Sequence, residues 1–246
     1  MSRELAEAHI EAERLLRKTA VAAITAAWRA LPGHNEADLP GWLLTSTTIA
    51  LAAQRQSVAL TEAYLARVLE RQPFGLPADD LIGAGVRNGA PPEEVYKRPF
   101  VTLWGRLGAG ANFADASAAA LARAQGTVAM DVQLSMRATA NAAQEVETIY
   151  GYQRVADAGA CTFCQEVDGA YVKSADAMPL HNNCGCGLEP LTESHPLAVF
   201  LPDGTRIRNY RHGPLINTPP PDTVAIHEHG ELGPVLGDPS HDFTQL

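Results

Sequence analysis

Residues 112–150, NFADASAAALARAQGTVAMDVQLSMRATANAAQEVETIY, decide the fold class. Leu121, Val128, Leu134, Ala138, Val146 and Ile149 fall on a helical period, and the alanines between them are the strongest helix formers. The spacing predicts one long, Ala-rich amphipathic helix from Asn112 to about Tyr150. Its N-terminal neighbour begins at Pro91-Pro92-Glu93-Glu94, where a proline in the first turn and acids against the amide dipole favour a helix start. That pattern continues past Leu103 and pauses over Gly105–Gly110.

Further toward the N-terminus, residues 73–92 are rich in Pro and Gly and read as a loop, with a short helical turn around Asp79–Gly83. A helix is expected from near Leu39–Trp42 to Glu70, with Leu44, Thr47, Thr48, Leu51, Val58, Tyr64, Leu65 and Val68 as its inward stripe. Another enters near Ser2 and Glu4 and stops at Pro32-Gly33. Its stripe is Leu5, Ala8, Ala12, Leu15, Leu16, Ala20, Ala23, Ile24, Ala27 and Leu31. The composition agrees: of 246 residues, 46% are hydrophobic but only 6% aromatic. About 40 alanines and so few rings favour close-packed helices over a sandwich or barrel.

After Gly151 the character changes. The stretch from Val155 to Pro190 is short, turn-rich and holds all four cysteines. Beyond Pro196 there is no helical period, and Pro219-Pro220-Pro221 keeps the chain extended. The expected architecture is therefore mainly α, in three parts: a helical domain over 1–152, a small zinc-stapled α+β hairpin module over 153–195, and short strands with an extended tail over 196–246. The last part has too little chain for a core of its own. Its scattered apolar residues Val224, Ile226, Leu232, Val235 and Leu236 are expected to dock on a partner.

The cysteine segment reads C-x2-C-x16-H-x2-C-x-C: Cys161, Cys164, His181, Cys184 and Cys186. Zinc takes four soft or borderline donors in a tetrahedron, and a two-residue spacer lets one tight turn offer two of them. An Asp168-Gly169 hairpin turn between apolar residues joins the two halves. Five donors compete for four places. The repeated x2 spacing favours Cys161, Cys164, His181 and Cys184, with Cys186 the rival for the last place. Two disulfides, or reduced metal-free thiols, are the alternatives. Four protein ligands leave no place for water, so the zinc is structural and no catalytic residue is assigned.

Charge narrows the function. The net charge is −9, and 11 of the 28 acids but only 4 of the 19 basic residues lie beyond residue 160. A sequence pI of 5.3 argues against tight sequence-independent DNA binding. Arg206, Arg208 and Arg211 with Tyr210 form the one basic cluster of that acidic third. The N-terminus carries charge throughout and has no apolar secretory core, and no apolar stretch reaches the length of a membrane span. The chain is expected to be made in the cytosol, with no membrane partner.

Arg154-Val155-Ala156-Asp157, Cys161-x2-Cys164, Asp168-Gly169, Pro179-Leu180-His181 and Cys184-Gly185-Cys186 together resemble the C-terminal signature of the MuF-like minor head proteins of tailed phages. The close likeness covers about 35 residues; the Ala-rich region before it is similar in character only. The stretch His229-Gly230-Glu231-Leu232-Gly233-Pro234-Val235-Leu236 is similar to tails of such proteins from phages of actinobacteria. One departure is Gly185, where the family often has Arg. The resemblance implies a low-copy virion protein near the portal, acting in head morphogenesis or genome delivery. Its partners would be the portal protein and the major capsid or scaffold protein, with weak contact to packaged DNA. It would occupy the host cytoplasm during assembly and then the virion.

Two other functions compete. A capsid maturation protease could draw on Ser174, Ser194, His195 and Asp203, although no G-x-S-x-G elbow marks a nucleophile. A zinc-stapled nucleic-acid-binding module is weakened by the charge. His227-Glu228-His229 lacks the i, i+4 spacing of a zinc protease helix, and His195, His212 and His241 sit beside Pro, Gly or Asp in expected loops.

Overall fold

Four α-helices among the described residues carry the architecture of the computed structural model, which describes residues 2–160, 164–165, 168–175, 178, 184–192, 198–200, 206–208 and 225–237. Helix α1 spans Ser2–Arg29, α2 Leu39–Val68, α3 Pro92–Gly108 and α4 Phe113–Val146. Two 3-10 turns, Ala78–Leu81 and Gly83–Val86, bridge α2 to α3. The punctuation works as its chemistry requires. Pro92 opens α3 with Glu93 and Glu94 in its first turn, and Gly110, at φ +90°, makes the left-handed turn into α4. The Asn112 side chain then caps α4 by accepting the Asp115 amide at 2.9 Å.

Helix α4 is the spine of the molecule. It ends at Val146, earlier than the sequence pattern suggests, because Glu147 turns to extended backbone and Tyr150 already hydrogen-bonds Leu191. Nor is it amphipathic along its whole length: residues 130–137 are all buried. Helices α1, α2 and α3 surround it, and a small sheet covers the face that would otherwise meet water. The two charged members of that run survive burial by pairing. Asp131 takes Arg87 at 2.5 Å and Tyr96 at 2.7 Å, while Arg137 donates to the Ala175 carbonyl at 2.9 Å.

The inward faces of α1 and α2 also differ from the expected stripes. Leu44 is 70% exposed and Leu15 is exposed as well. The buried ridges carry His9, Glu13 and Arg17 on α1, and Gln54, Ser57 and Thr61 on α2. Four of these groups pair with one another: the Ser57 hydroxyl donates to Glu13 at 2.9 Å, and His9 Nε2 stands 3.2 Å from the Thr61 hydroxyl, while Gln54 accepts the Gly83 amide at 3.0 Å. His9 also stacks flat on Tyr64, with ring centroids 4.5 Å apart.

The sheet has the order β2-β1-β3, with β1 at Gly151–Val155, β2 at Tyr171–Val172 and β3 at Gly187–Leu191, all antiparallel. The Asp168-Gly169 turn is present, and the strand it feeds pairs with β1 through Tyr152↔Val172. Gly187 lets β3 lie against α1, since a Cβ there would meet Ile10 Cγ1 at 2.5 Å. Tyr64 ties α2 to the same strand by donating to the Leu188 carbonyl at 2.9 Å. The sheet thus shares a core with Ala6, Ile10, Leu65, Met130 and Leu134. A second core, built on Trp28, Trp42, Phe100 and Leu103 with alanines of α4, fills the other end of the bundle.

Two antiparallel pairs follow: β4 (Ala198–Phe200) with β5 (Arg206–Arg208), and β6 (Ala225–His229) with β7 (Gly233–Gly237). Leu232 and Val235, expected on a partner, are each 2% exposed in the chain's own sheet-side core. Glu231 in the β6–β7 turn is clasped by Arg98, at 2.9 Å through Nη1, and by Arg87 at 3.3 Å. Pro219–Pro221, Val224 and residues 238–246 lie outside the described residues.

The clasp is acid-sensitive. Burial raises the Glu231 carboxyl, but hydrogen bonding and attraction from Arg98 and Arg87 outweigh it, so its value lies below that of a free glutamate. A depressed carboxyl contributes stability above its unfolded value and loses it as pH falls through the lowered folded value. Amide exchange over 225–237 is therefore expected to stay slow at neutral pH and to quicken below the ordinary glutamate range. Exchange that is pH-independent there, after correction for intrinsic rates, would contradict the clasp.

Candidate metal centre

The cysteines among the described residues converge on one point. Cys184 and Cys186 sit just before β3, where an extended approach turns residues i and i+2 to the same side. Cys164 lies on a helical turn after β1. The three sulfurs, all buried, lie within 4.8 Å of one another. Three thiols at that separation match the span that one ion with ~2.3 Å metal–sulfur bonds would gather. Cys161 and His181 lie outside the described residues. Cys184 and Cys186, rivals for one ligand position by spacing, are both in the cluster.

Arg154, on the central strand, reaches the cluster from the side. It is 1% exposed, and its Nη2 donates to Cys164 Sγ at 3.0 Å and lies 3.6 Å from Cys184 Sγ. Burial works against its charge, yet the negative potential of Cys184, Cys186 and Cys164 more than offsets this and raises its value. Hydrogen bonds from Cys184 and Cys186, followed by burial, push the Cys164 thiol upward. For Cys186 the bond with Cys164 lowers the value, but Cys184 and burial push it up to about 11. A metal that binds here therefore displaces protons, and the Arg154 guanidinium then faces thiolates.

The backbone of the motif is held from the helices. Arg17 of α1 and Gln133 of α4 both donate to the Cys184 carbonyl oxygen, Gln133 at 2.8 Å. Gly185 has no room for a side chain: a Cβ would fall 1.6 Å from Asp157 Oδ2 and 3.0 Å from Arg17 Nη2. The guanidinium beside residue 185 is thus supplied by α1. Asp168 is equally engaged, accepting Arg3 through both oxygens at 2.9 Å and the Ala156 amide at 2.8 Å. Sequence spacing gave no sign of Arg17, Gln133 or Arg3, since each lies more than 50 residues from its partner.

The other sequence candidates do not gather into a site among the described residues. Ser174 follows β2 and is partly exposed, while Ser194, His195 and Asp203 lie outside the described residues. His227, Glu228 and His229 fall on strand β6, and His229 Nδ1 accepts the Glu231 amide at 3.2 Å. Arg206 and Arg208 are on β5; Tyr210, Arg211, His212 and His241 lie outside the described residues. No helix among the described residues is long and apolar enough to cross a membrane. No family model, curated protein or solved structure matches the chain.

Proposed function

We propose that the chain is a MuF-like structural protein of a tailed-phage head, acting near the portal in head morphogenesis or genome delivery, with zinc as a structural staple. The supporting observation is the convergence of its signature. Arg154, Asp157, Cys164, Cys184, Gly185 and Cys186, drawn from a short stretch of sequence, meet around one buried sulfur cluster. Soft thiolate donors favour zinc over the hard divalent cations. Cys164, Cys184 and Cys186 with either Cys161 or His181 would close the tetrahedron, and a closed site supplies cross-linking instead of a reactive water. Arg154 balances the thiolate charge, while Arg17 and Gln133 orient the Cys184 peptide. The effect is to fix the loop between β1 and β3 onto α1 and α4.

In this reading the partners are the portal protein and the major capsid or scaffold protein. Contact with packaged DNA stays weak because the chain carries a net charge of −9. The protein would be assembled in the host cytoplasm and retained in the virion. Cross-linking mass spectrometry on purified particles tests this. We expect a low-copy chain with cross-links to the portal protein, and about one zinc per chain in the isolated protein. Absence from particles, or discrete cleavage of a capsid precursor by the purified chain, would overturn it.

A further inference from the structure

The sequence has one Asn-Gly step, Asn88-Gly89; every other asparagine is followed by a residue that carries a side chain. Both residues are exposed, and both take left-handed backbone, at φ +50° and +87°. A Cβ at Gly89 would meet nothing within 4 Å, so no neighbouring group covers the step on that side. An asparagine before glycine is the easiest for the backbone to attack, because no Cβ hinders the following nitrogen. This amide also has a structural task. Its Nδ2 donates to the Gly230 carbonyl at 2.9 Å, and Gly230 lies in the β6–β7 turn next to Glu231. The residue before it, Arg87, reaches Glu231 at 3.3 Å, and Pro92 opens α3 a few residues after it. The one Asn-Gly step of the chain thus sits where the C-terminal hairpin is fastened to the bundle.

We infer that Asn88 is a deamidation site and that its conversion loosens the β6–β7 hairpin. The Gly89 nitrogen attacks Asn88 Cγ: a C–N bond forms, the Cγ–Nδ2 bond breaks, and ammonia leaves with the Gly89 proton. Water then opens the succinimide at either carbonyl. The nitrogen regains a proton, and an aspartate or isoaspartate carboxylate is left. The fold sets the pace. The Gly89 N–H donates to the Ala84 carbonyl at 2.9 Å, and this bond must open before the nitrogen can attack. The product cannot hold the hairpin as the amide did. A carboxylate has only acceptors to set against the Gly230 carbonyl, and it stands as a like charge beside Glu231. Isoaspartate also adds a methylene to the backbone between Arg87 and α3. With Arg98 still on Glu231, the hairpin opens more often and does not detach. The inference depends on neither the phage assignment nor the metal.

The full-length chain, aged in mildly alkaline buffer, is expected to deamidate at Asn88 before any other asparagine, with aspartate and isoaspartate both found by peptide mapping. Amide exchange over 225–237, measured at neutral pH where the Glu231 clasp is intact, should quicken at least about fivefold in the aged chain and in Asn88→Asp. Exchange in α4 should stay as it was. Asn88→Gln keeps an amide but offers the following nitrogen a larger and slower ring to close, so ageing should leave its hairpin unchanged. Another asparagine reacting first would overturn the inference. So would hairpin exchange in Asn88→Asp equal to that of the parent chain, or an ageing effect in Asn88→Gln as large as in the parent.

Discussion

Cys164→Ser is expected to abolish stoichiometric metal binding and unfold the sheet, while the emission of the three tryptophans stays that of the folded protein. Cys164 is fully buried and is one of the three clustered sulfurs. A structural zinc contributes on the order of 10 kcal/mol of apparent binding free energy, and that energy is also folding free energy. Without it the Cys184 and Cys186 thiols and the Arg154 guanidinium remain buried with only weak sulfur hydrogen bonds to hold them together. The damage has a boundary, because Trp28, Trp42 and Trp104 all belong to the other core. There Trp28 and Trp104 pack edge-on against Phe100, at centroid distances of 5.3 Å and 5.2 Å, and Trp42 packs edge-on against Trp28 at 5.1 Å. Elemental analysis, hydrogen exchange over 151–191 and tryptophan fluorescence read the three parts of this prediction separately. Full retention of metal, or loss of the tryptophan signal together with the sheet, would refute it.

The second large effect is expected far from the sulfurs. Asp131→Ala should destabilise the protein by about 3–5 kcal/mol, the range seen when one member of a buried ion pair is removed. Asp131 lies under α3 and is the carboxylate for Arg87 at 2.5 Å and for the Tyr96 hydroxyl at 2.7 Å. Burial disfavours the Arg87 charge, and Asp131 is what outweighs that penalty. Deleting the carboxylate leaves a buried guanidinium whose remaining acid is Glu231, at 3.3 Å in the C-terminal hairpin. Tyr96→Phe, which leaves the ion pair intact, should cost only about 1 kcal/mol. Denaturant unfolding of the two variants decides the matter. Similar losses in both would mean that Asp131 is not the centre of the network.

These two sites differ in how far they could be read from the chain. The helices announce themselves locally: Pro92 with two acids opens α3, Asn112 caps α4, and the alanine period fills what lies between. The cysteine spacing likewise pointed to one gathered set of donors. What stayed hidden was the inner polar layer. His9, Glu13, Arg17, Gln54, Ser57 and Thr61 break the apolar stripes of α1 and α2, and each is tolerated because its partner sits on a distant segment of the chain. Leu44 looked like core and faces out for the same reason, since the buried ridge of α2 turns toward those polar partners. A period finds apolar faces. It has no term for a glutamate satisfied by a serine 44 residues away. The docking of Leu232 and Val235 escaped in the same way, because the arginines that hold Glu231 lie on α3 and in the turn before it.

The hold of α1 on the Cys184 peptide has a consequence for synthesis. Arg17 and Cys184 are separated by 167 residues, Arg3 and Asp168 by 165, so the first helix meets its strand last. At ordinary translation rates roughly 10–30 s separate their emergence from the ribosome. Throughout that interval the nascent bundle has a first helix with Ile10 and Arg17 uncovered on the side that Gly187 and the Cys184 peptide later fill, a face both apolar and charged. Contacts so distant along the chain slow folding and prolong exposure to aggregation and to proteases. Chain termination upstream of Cys184 would leave an N-terminal fragment with that face open to solvent.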